Sequence, residues 1–199
     1  MKKVLLLGDS IMYGAKGLHG YGYYVQQALE GTADVLFPND NCQDSRFMLS
    51  CFDDLVDYPK DDIDVVHWNN GLWDVLHFAG NPSPFTSRAA YLASVGKIAD
   101  KIKARFPNAR VCFATTTPIH ERLQSTTSYR RNAEIKEYNE CAVELLREKE
   151  VLINDLYEIA LQYGEVYTSK DGLHYTNEGS ELLSISVVNF LKKVLQAKC

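Results

Sequence analysis

Val4-Leu5-Leu6-Leu7-Gly8-Asp9-Ser10-Ile11-Met12-Tyr13-Gly14 is the stretch on which the reading of this chain turns: four apolar residues run straight into Gly-Asp-Ser, with a second glycine four positions beyond the serine. An unalternating apolar run closed by glycine suits the first central strand of a parallel sheet, whose strands are covered on both faces. In open α/β sheets ligands bind beyond the carboxyl ends of such strands, so Ser10 falls where chemistry is usually done. Taken alone, Gly-Asp-Ser is equally ordinary turn and helix-capping chemistry, and the rest of the chain has to decide between the two.

Outward from this strand the sequence alternates. Tyr21 to Leu29 has apolar positions at helical spacing, and Ala33 to Phe37 reads as strand two. The turn-rich stretch from Pro38 to Ser45 leads to a helix expected through about Val56, capped by Asp44 or Ser45. Strand three is Ile63 to Trp68, running into Asn69-Asn70-Gly71-Leu72-Trp73-Asp74. A long helix from Ser87 to Arg105 carries Tyr91, Leu92, Val95, Ile98, Ala99 and Ile102 on one stripe. Strand four, Arg110 to Thr115, opens into a polar segment, Thr116 to Arg130, expected to form a site rim or lid. Helix Asn132 to Glu148, strand Val151 to Asn154 and a short helix from Asp155 follow. Thr176 or Asn177, with Glu178 in the first turn, is expected to cap the last helix, whose Leu182, Leu183, Ile185, Val188 and Leu191 should face the sheet. Five strands alternating with helices predict an α/β, three-layer αβα sandwich of flavodoxin-like type, with a five-stranded parallel sheet in one domain spanning residues 1–199.

Composition narrows the function classes. The 199 residues, 46% hydrophobic and 24% charged, suffice for a sizeable core. A formal net charge of −5 and no Lys/Arg run longer than two residues argue against nucleic acid as a partner. The apolar run after Lys2-Lys3 stops at Gly8, short of the roughly 7 to 15 residues of a signal-peptide core. No segment approaches membrane-spanning length, so a soluble cytoplasmic protein with no membrane partner is expected. The five cysteines (Cys42, Cys51, Cys112, Cys141, Cys199) are irregularly spaced, without a Cys-x-x-Cys pair. They read as inert thiols, Cys112 in the core and Cys199 exposed.

In a parallel sheet, Ser10, the Cys42 to Ser45 loop, Asn69 and the Thr115 loop gather on one edge, and Asp171-Gly172-Leu173-His174 near the C-terminus can fold back onto it. This set holds the parts for acyl transfer. A serine hydroxyl needs a neighbouring base at neutral pH, and the imidazole of His174 can take and return its proton. Asp171, three residues earlier, is near enough to hold the other ring nitrogen and fix the tautomer. Oxyanion donors would come from the Asn69 amide, the Ser10 backbone N–H and an N–H of the Cys42 to Ser45 loop.

Three blocks, Gly8-Asp9-Ser10-Ile11-x-x-Gly14, the asparagines after strand three, and Asp171-x-x-His174, resemble in order and placement those of the SGNH (GDSL-type) serine esterases. The resemblance implies Ser10 as nucleophile, His174 as base, Asp171 as its orienting acid, strand order 2-1-3-4-5, and no metal or cofactor. Two blocks depart from the family. The second has no glycine, and Gln43 or Asp44 occupies the place whose backbone amide completes the oxyanion hole. The third reads His67-Trp68-Asn69-Asn70 instead of Gly-x-Asn-Asp, which gives the oxyanion role to Asn69; a one-residue shift would give it to Asn70.

Blander roles are expected elsewhere. Asp9 reads as a structural residue of the turn and Trp68 as core. His67 and His77 read as packed or rim residues, and His120 as solvated. Asn70 and Trp73 are candidates for substrate contact, Trp73 as a stacking platform for a sugar or as an acyl wall. Tyr129-Arg130-Arg131 reads as a lid or helix entrance and secondarily as an anion contact. The favoured substrate is a small-molecule ester, foremost a carbohydrate O-acetyl ester. A lipase or lysophospholipase with the same machinery, and a noncatalytic flavodoxin-like binding module, are the competing readings. The opening loop lacks a Gly-x-Gly-x-x-Gly or Walker pattern, which counts against the module.

Overall fold

Strand β1 (Lys2–Leu7) lies inside the sheet, and Val4 to Leu7 are wholly buried, which explains why the run does not alternate. The computed structural model describes residues 1–197; Cys199 lies outside them. β1 pairs with β2 (Ala33–Leu36) on one side and with β3 (Val65–Trp68) on the other, and β4 (Arg110–Ala114) and β5 (Leu152–Asn154) follow beyond β3. Every pairing is parallel, as the sequence predicts, and the order is β2-β1-β3-β4-β5, as the family resemblance implies. The register sets Leu7 beside Trp68, Trp68 beside Phe113, and Ala114 beside Asn154. The carboxyl ends of the three central strands therefore come level, and the loops after them converge on one edge.

Helices cover both faces. α1 (Ser10–Tyr13) is a single turn, and α2 (Tyr21–Ala28) packs on α8 (Asn177–Gln196), as does α7 (Leu156–Tyr163). On the other face α3 (Ser45–Ser50) packs on α5 (Arg88–Arg105), and α5 on α6 (Asn132–Glu148). The two faces can be read along β3: His67 meets Tyr21 and Phe190, of α2 and α8, while Trp68 packs edge-on to Phe113 in the core.

Three expectations need correction. The helix predicted from Ser45 to Val56 is broken at Cys51 into α3 and α4 (Phe52–Leu55). The Ser50 hydroxyl bonds back to the Phe47 carbonyl at 2.9 Å, a contact that bends helices. Ile185 is 51% exposed; two residues from Leu183 it lies on the opposite side of α8, and Val187 takes the inward place. The segment from Thr116 to Arg130 is not a free polar lid. Thr116, Thr117, Ile119 and Arg130 are buried, and two asparagines of α6 clamp it. Asn139 exchanges 2.8 Å hydrogen bonds with the backbone N–H and C=O of Thr116, and Asn132 does the same with Ile119 at 2.9 Å. The segment contains a 3-10 turn at Glu121–Leu123 and a short antiparallel pairing of Ser128–Tyr129 with His77–Phe78.

Candidate active site

β1 delivers the chain to the sheet edge, where Gly8 allows an approach that no side chain would permit. A Cβ there would lie 2.0 Å from Asn69 Oδ1. Asp9 caps α1 by accepting from Ile11 N–H at 3.0 Å, which sets Ser10 at the first helical position. Ser10 thus uses both sequence readings: it follows the cap, and its hydroxyl faces the late histidine.

Ser10 Oγ lies 2.8 Å from His174 Nε2, and His174 Nδ1 lies 2.8 Å from Asp171 Oδ2. Ser10 and His174 are each 9% exposed. The loop that carries the pair is held by its own carboxylate: Asp171 Oδ1 accepts from Ser169 Oγ at 2.8 Å and from the N–H groups of Leu173 and His174 at 3.0 Å. Gly172 supplies the left-handed turn, φ 69°, with its α-carbon against the His120 carbonyl. Burial alone would raise the Asp171 pKa, but the hydrogen bonds from the His174 side chain and backbone, together with Lys16, hold it well below the usual carboxylate range. Lys16 is a residue that sequence reasoning missed. It sits with Gly17, both at positive φ, in the turn between Gly14–Ala15 and Leu18–His19, and its Nζ is 2.9 Å from Asp171 Oδ2. Two consecutive residues at positive φ mark a tight hairpin, and Lys-Gly was the available signal.

The two asparagines turn to different neighbours. Asn69 donates to Asp9 Oδ1 at 3.0 Å and accepts from the Tyr21 hydroxyl at 3.3 Å. Asn70 Nδ2 donates to the Gln43 carbonyl at 3.2 Å, while its backbone carbonyl accepts from Tyr91 and Thr116 hydroxyls. Each amide nitrogen has two N–H groups, so each retains one. In the second block, Gln43 is left-handed, φ 47°, and its N–H is already given to Asn41 Oδ1 at 3.0 Å. Asp44 caps α3 by accepting from Arg46 and Phe47 N–H groups; its own N–H and that of Ser10 have no acceptor among the described residues. Cys42 N–H on the Gly8 carbonyl at 2.7 Å ties this block to the first.

Asp74 ties it to the third. Its buried carboxylate accepts from Ser45 Oγ at 2.6 Å and from Ser45 N–H at 3.1 Å, and burial pushes its pKa up to about 6. The final Asp of Asn69-Asn70-Gly71-Leu72-Trp73-Asp74 was the signal that sequence reasoning passed over.

His67, His77 and His120 are packed, while His19 is exposed. His67 is buried, accepts from Asn154 Nδ2 at 3.1 Å, and burial lowers its pKa to about 4. His77 is buried between Glu134, 2.8 Å from Nε2, and the stacked ring of Tyr129. His120 is not freely solvated: its Nε2 is 2.6 Å from Glu165 and its side chain is 19% exposed. Trp68 is wholly buried, and Trp73 is half-buried. Burial pushes the Cys42 and Cys112 thiols up to about 12.

Comparison with known proteins places the chain in a family. The GDSL-like Lipase/Acylhydrolase family model matches residues 6–182. A curated relative, the GDSL esterase/lipase WDL1 of Oryza sativa subsp. japonica, is 26% identical over 98% of this chain and 79% of its own length. Among solved structures, the lipase/acylhydrolase from Enterococcus faecalis superposes with a TM-score of 0.78 at 20% identity, over 97% of this chain and 96% of its own. A carbohydrate esterase family 3 protein from Talaromyces cellulolyticus gives 0.73 at 16% identity, with both chains covered completely. The chain belongs to the GDSL-like lipase/acylhydrolase family and is a carboxylic ester hydrolase.

Proposed function

We propose that this protein hydrolyses small acyl esters through an acyl-enzyme on Ser10, and that its substrate is an O-acetylated carbohydrate. The observation that carries the mechanism is the unbroken line of 2.8 Å contacts from Ser10 Oγ through the His174 ring to Asp171. His174 Nε2 takes the hydroxyl proton as Oγ attacks the ester carbonyl. The oxyanion is held by the N–H groups of Ser10 and Asp44 and by the free amide N–H of Asn69. Collapse expels the alcohol, which leaves with the proton from His174; water then repeats the sequence and releases the acid. Support for the acetylated sugar comes from the fold likeness to a protein described as a carbohydrate esterase and from the half-buried Trp73 beside the asparagine turn.

Hydrolysis of p-nitrophenyl acetate and acetylated sugars, with rates falling as the acyl chain lengthens, is the expected result. Rates rising toward long chains would instead favour a lipase. Ser10→Ala or His174→Ala should reduce kcat by about 10³-fold or more with the fold intact by circular dichroism. Asn69→Ala should cost about 10² to 10³-fold. A larger loss in Asn70→Ala would move the oxyanion role one residue along.

A further inference from the structure

Between Cys42 and Met48 every backbone N–H but one has an acceptor among the described residues. Cys42 donates to the Gly8 carbonyl, Gln43 to Asn41 Oδ1, Ser45 to Asp74, Arg46 and Phe47 to Asp44 Oδ1, and Met48 to the Asp44 carbonyl. The N–H of Asp44 is left over, on a residue that is itself buried. An unpaired N–H at a buried position is rare in a folded chain, and one beside a nucleophile is a donor held ready for charge that develops there.

The two peptide units that meet at the α-carbon of Asp44 are both held from the loop after β3. A trans peptide is planar, so its C=O and N–H point opposite ways. Asn70 Nδ2 donates to the Gln43 carbonyl at 3.2 Å, which turns the N–H of the same unit, that of Asp44, away from Asn70. The second unit is held at Ser45, whose N–H and Oγ both donate to the Asp74 carboxylate, at 3.1 and 2.6 Å. Asp74 and Ser45 are wholly buried, so water does not compete for these bonds. Gln43, at φ 47°, takes a conformation that costs energy for a residue with a side chain, and the bonds at either end maintain it.

We infer that Asp74 is a positioning residue for ester hydrolysis: acting through Ser45, its ionised carboxylate fixes the direction of the Asp44 N–H, one of the donors proposed for the oxyanion. This inference rests on the hydrolytic reading above and adds to it a proton-dependent group besides His174. A carboxylate accepts at both oxygens, whereas a protonated carboxyl turns one of them into a donor and loosens its hold on Ser45. Burial raises the Asp74 pKa to about 6; the Asp44 charge acts in the same sense and the bonds from Ser45 oppose it. The other titratable groups facing it are Tyr91 of α5 and Tyr138 of α6, both pushed up by burial and so neutral from acid to mildly alkaline pH.

Asparagine copies a neutral carboxyl in shape, so Asp74→Asn stands for the protonated state at every pH. With p-nitrophenyl acetate, followed by acetate release, Asp74→Asn should lower kcat by about 10- to 100-fold at pH 8 while KM changes less than about twofold, a smaller loss than removal of a whole oxyanion donor. At pH 5 about nine-tenths of the wild-type Asp74 is already protonated, and the gap between the two proteins should shrink by about five- to tenfold. Ionisation of His174 is common to both proteins and cancels in the ratio, and circular dichroism at both pH values checks that each is folded. A merely structural Asp74 would lower kcat equally at both pH values; that result, or an unchanged kcat at pH 8, would overturn the inference. Should Asp74→Asn not fold, Ser45→Ala decides the matter: loss of the Oγ bond, which lowers the Asp74 pKa, should move this ionisation in the kcat profile to higher pH, and an unmoved profile refutes the role. Should the wild-type protein hydrolyse no ester, the hydrolytic reading fails by itself. The amide NMR signals of Asp44 and Ser45 then still test the positioning: they should titrate together near pH 6 in the wild type and not in Asp74→Asn, and an Asp44 signal that stays flat in the wild type refutes it.

Discussion

At the scale of single residues, the line proposed for catalysis divides into interactions of very unequal worth. Asp171 Oδ2 meets both His174 Nδ1 and Lys16 Nζ, but the Lys16 side chain is 68% exposed. An exposed ion pair contributes about 1 kcal/mol at most, so Lys16→Gln should lower kcat/KM by less than about fivefold, whereas Asp171→Ala should cost about 10³-fold or more. Steady-state kinetics on p-nitrophenyl acetate decide the matter, and comparable losses in the two variants would make Lys16 a full member of the line. The line of contacts from Ser10 through His174 to Asp171 was legible because the proposed nucleophile, base and orienting acid each require a particular residue type in a particular block. Lys16 was not: any cation on a neighbouring loop can reach the same carboxylate, and nothing in local spacing announces it. The choice between Asn69 and Asn70 was open for a related reason, since two adjacent amides satisfy one pattern, and the fold gives them different partners, Asp9 and the Gln43 carbonyl.

Among the elements, the strands were easiest to read because uninterrupted apolar runs such as Val4 to Leu7 have no stable place except between two helical layers. Helix α6 also matches its expected span, Asn132 to Glu148, with Ile135, Tyr138, Ala142 and Leu146 buried. What periodicity misses is side-chain competition with the backbone, as at Ser50, and polar residues that serve another segment. Asn139 is such a residue: on an amphipathic helix it reads as an ordinary polar interruption, yet it is buried and satisfies both backbone groups of Thr116. Asn139→Ala would leave that N–H and C=O buried without partners. We expect a loss of about 2–4 kcal/mol, seen as a lower denaturant midpoint, with faster amide exchange at Thr116. Asn132→Ala, at a less buried clamp on Ile119, should cost less. Equal and small effects would mean that the segment holds its course without α6.

For the whole molecule, two buried groups on opposite sides of the site give the pH dependence of stability its form. His67 has a folded pKa of about 4, lowered by burial from an ordinary value near ~6.5. The unfolded chain therefore binds the extra proton between these values, and stability falls as pH drops from about 6.5 to about 4. Asp74 does the reverse. Its folded pKa is about 6, raised by burial from about 3.9, so the folded state binds the extra proton across nearly the same interval, and stability falls as pH rises through it. Asp9, also raised by burial, acts in the same sense as Asp74. The contributions of His67 and Asp74 should therefore nearly cancel from pH 4 to 6.5, although each alone would tilt the unfolding free energy by roughly 2–3 kcal/mol, and Asp9 adds a fall in stability as pH rises. Removing one partner exposes the other. Asp74→Asn should lose stability steeply on acidification, and His67→Gln should lose it as pH rises toward 6.5. Urea titrations at several pH values test this directly, and parallel profiles for the wild type and both variants would show that neither group titrates in the folded protein within that window.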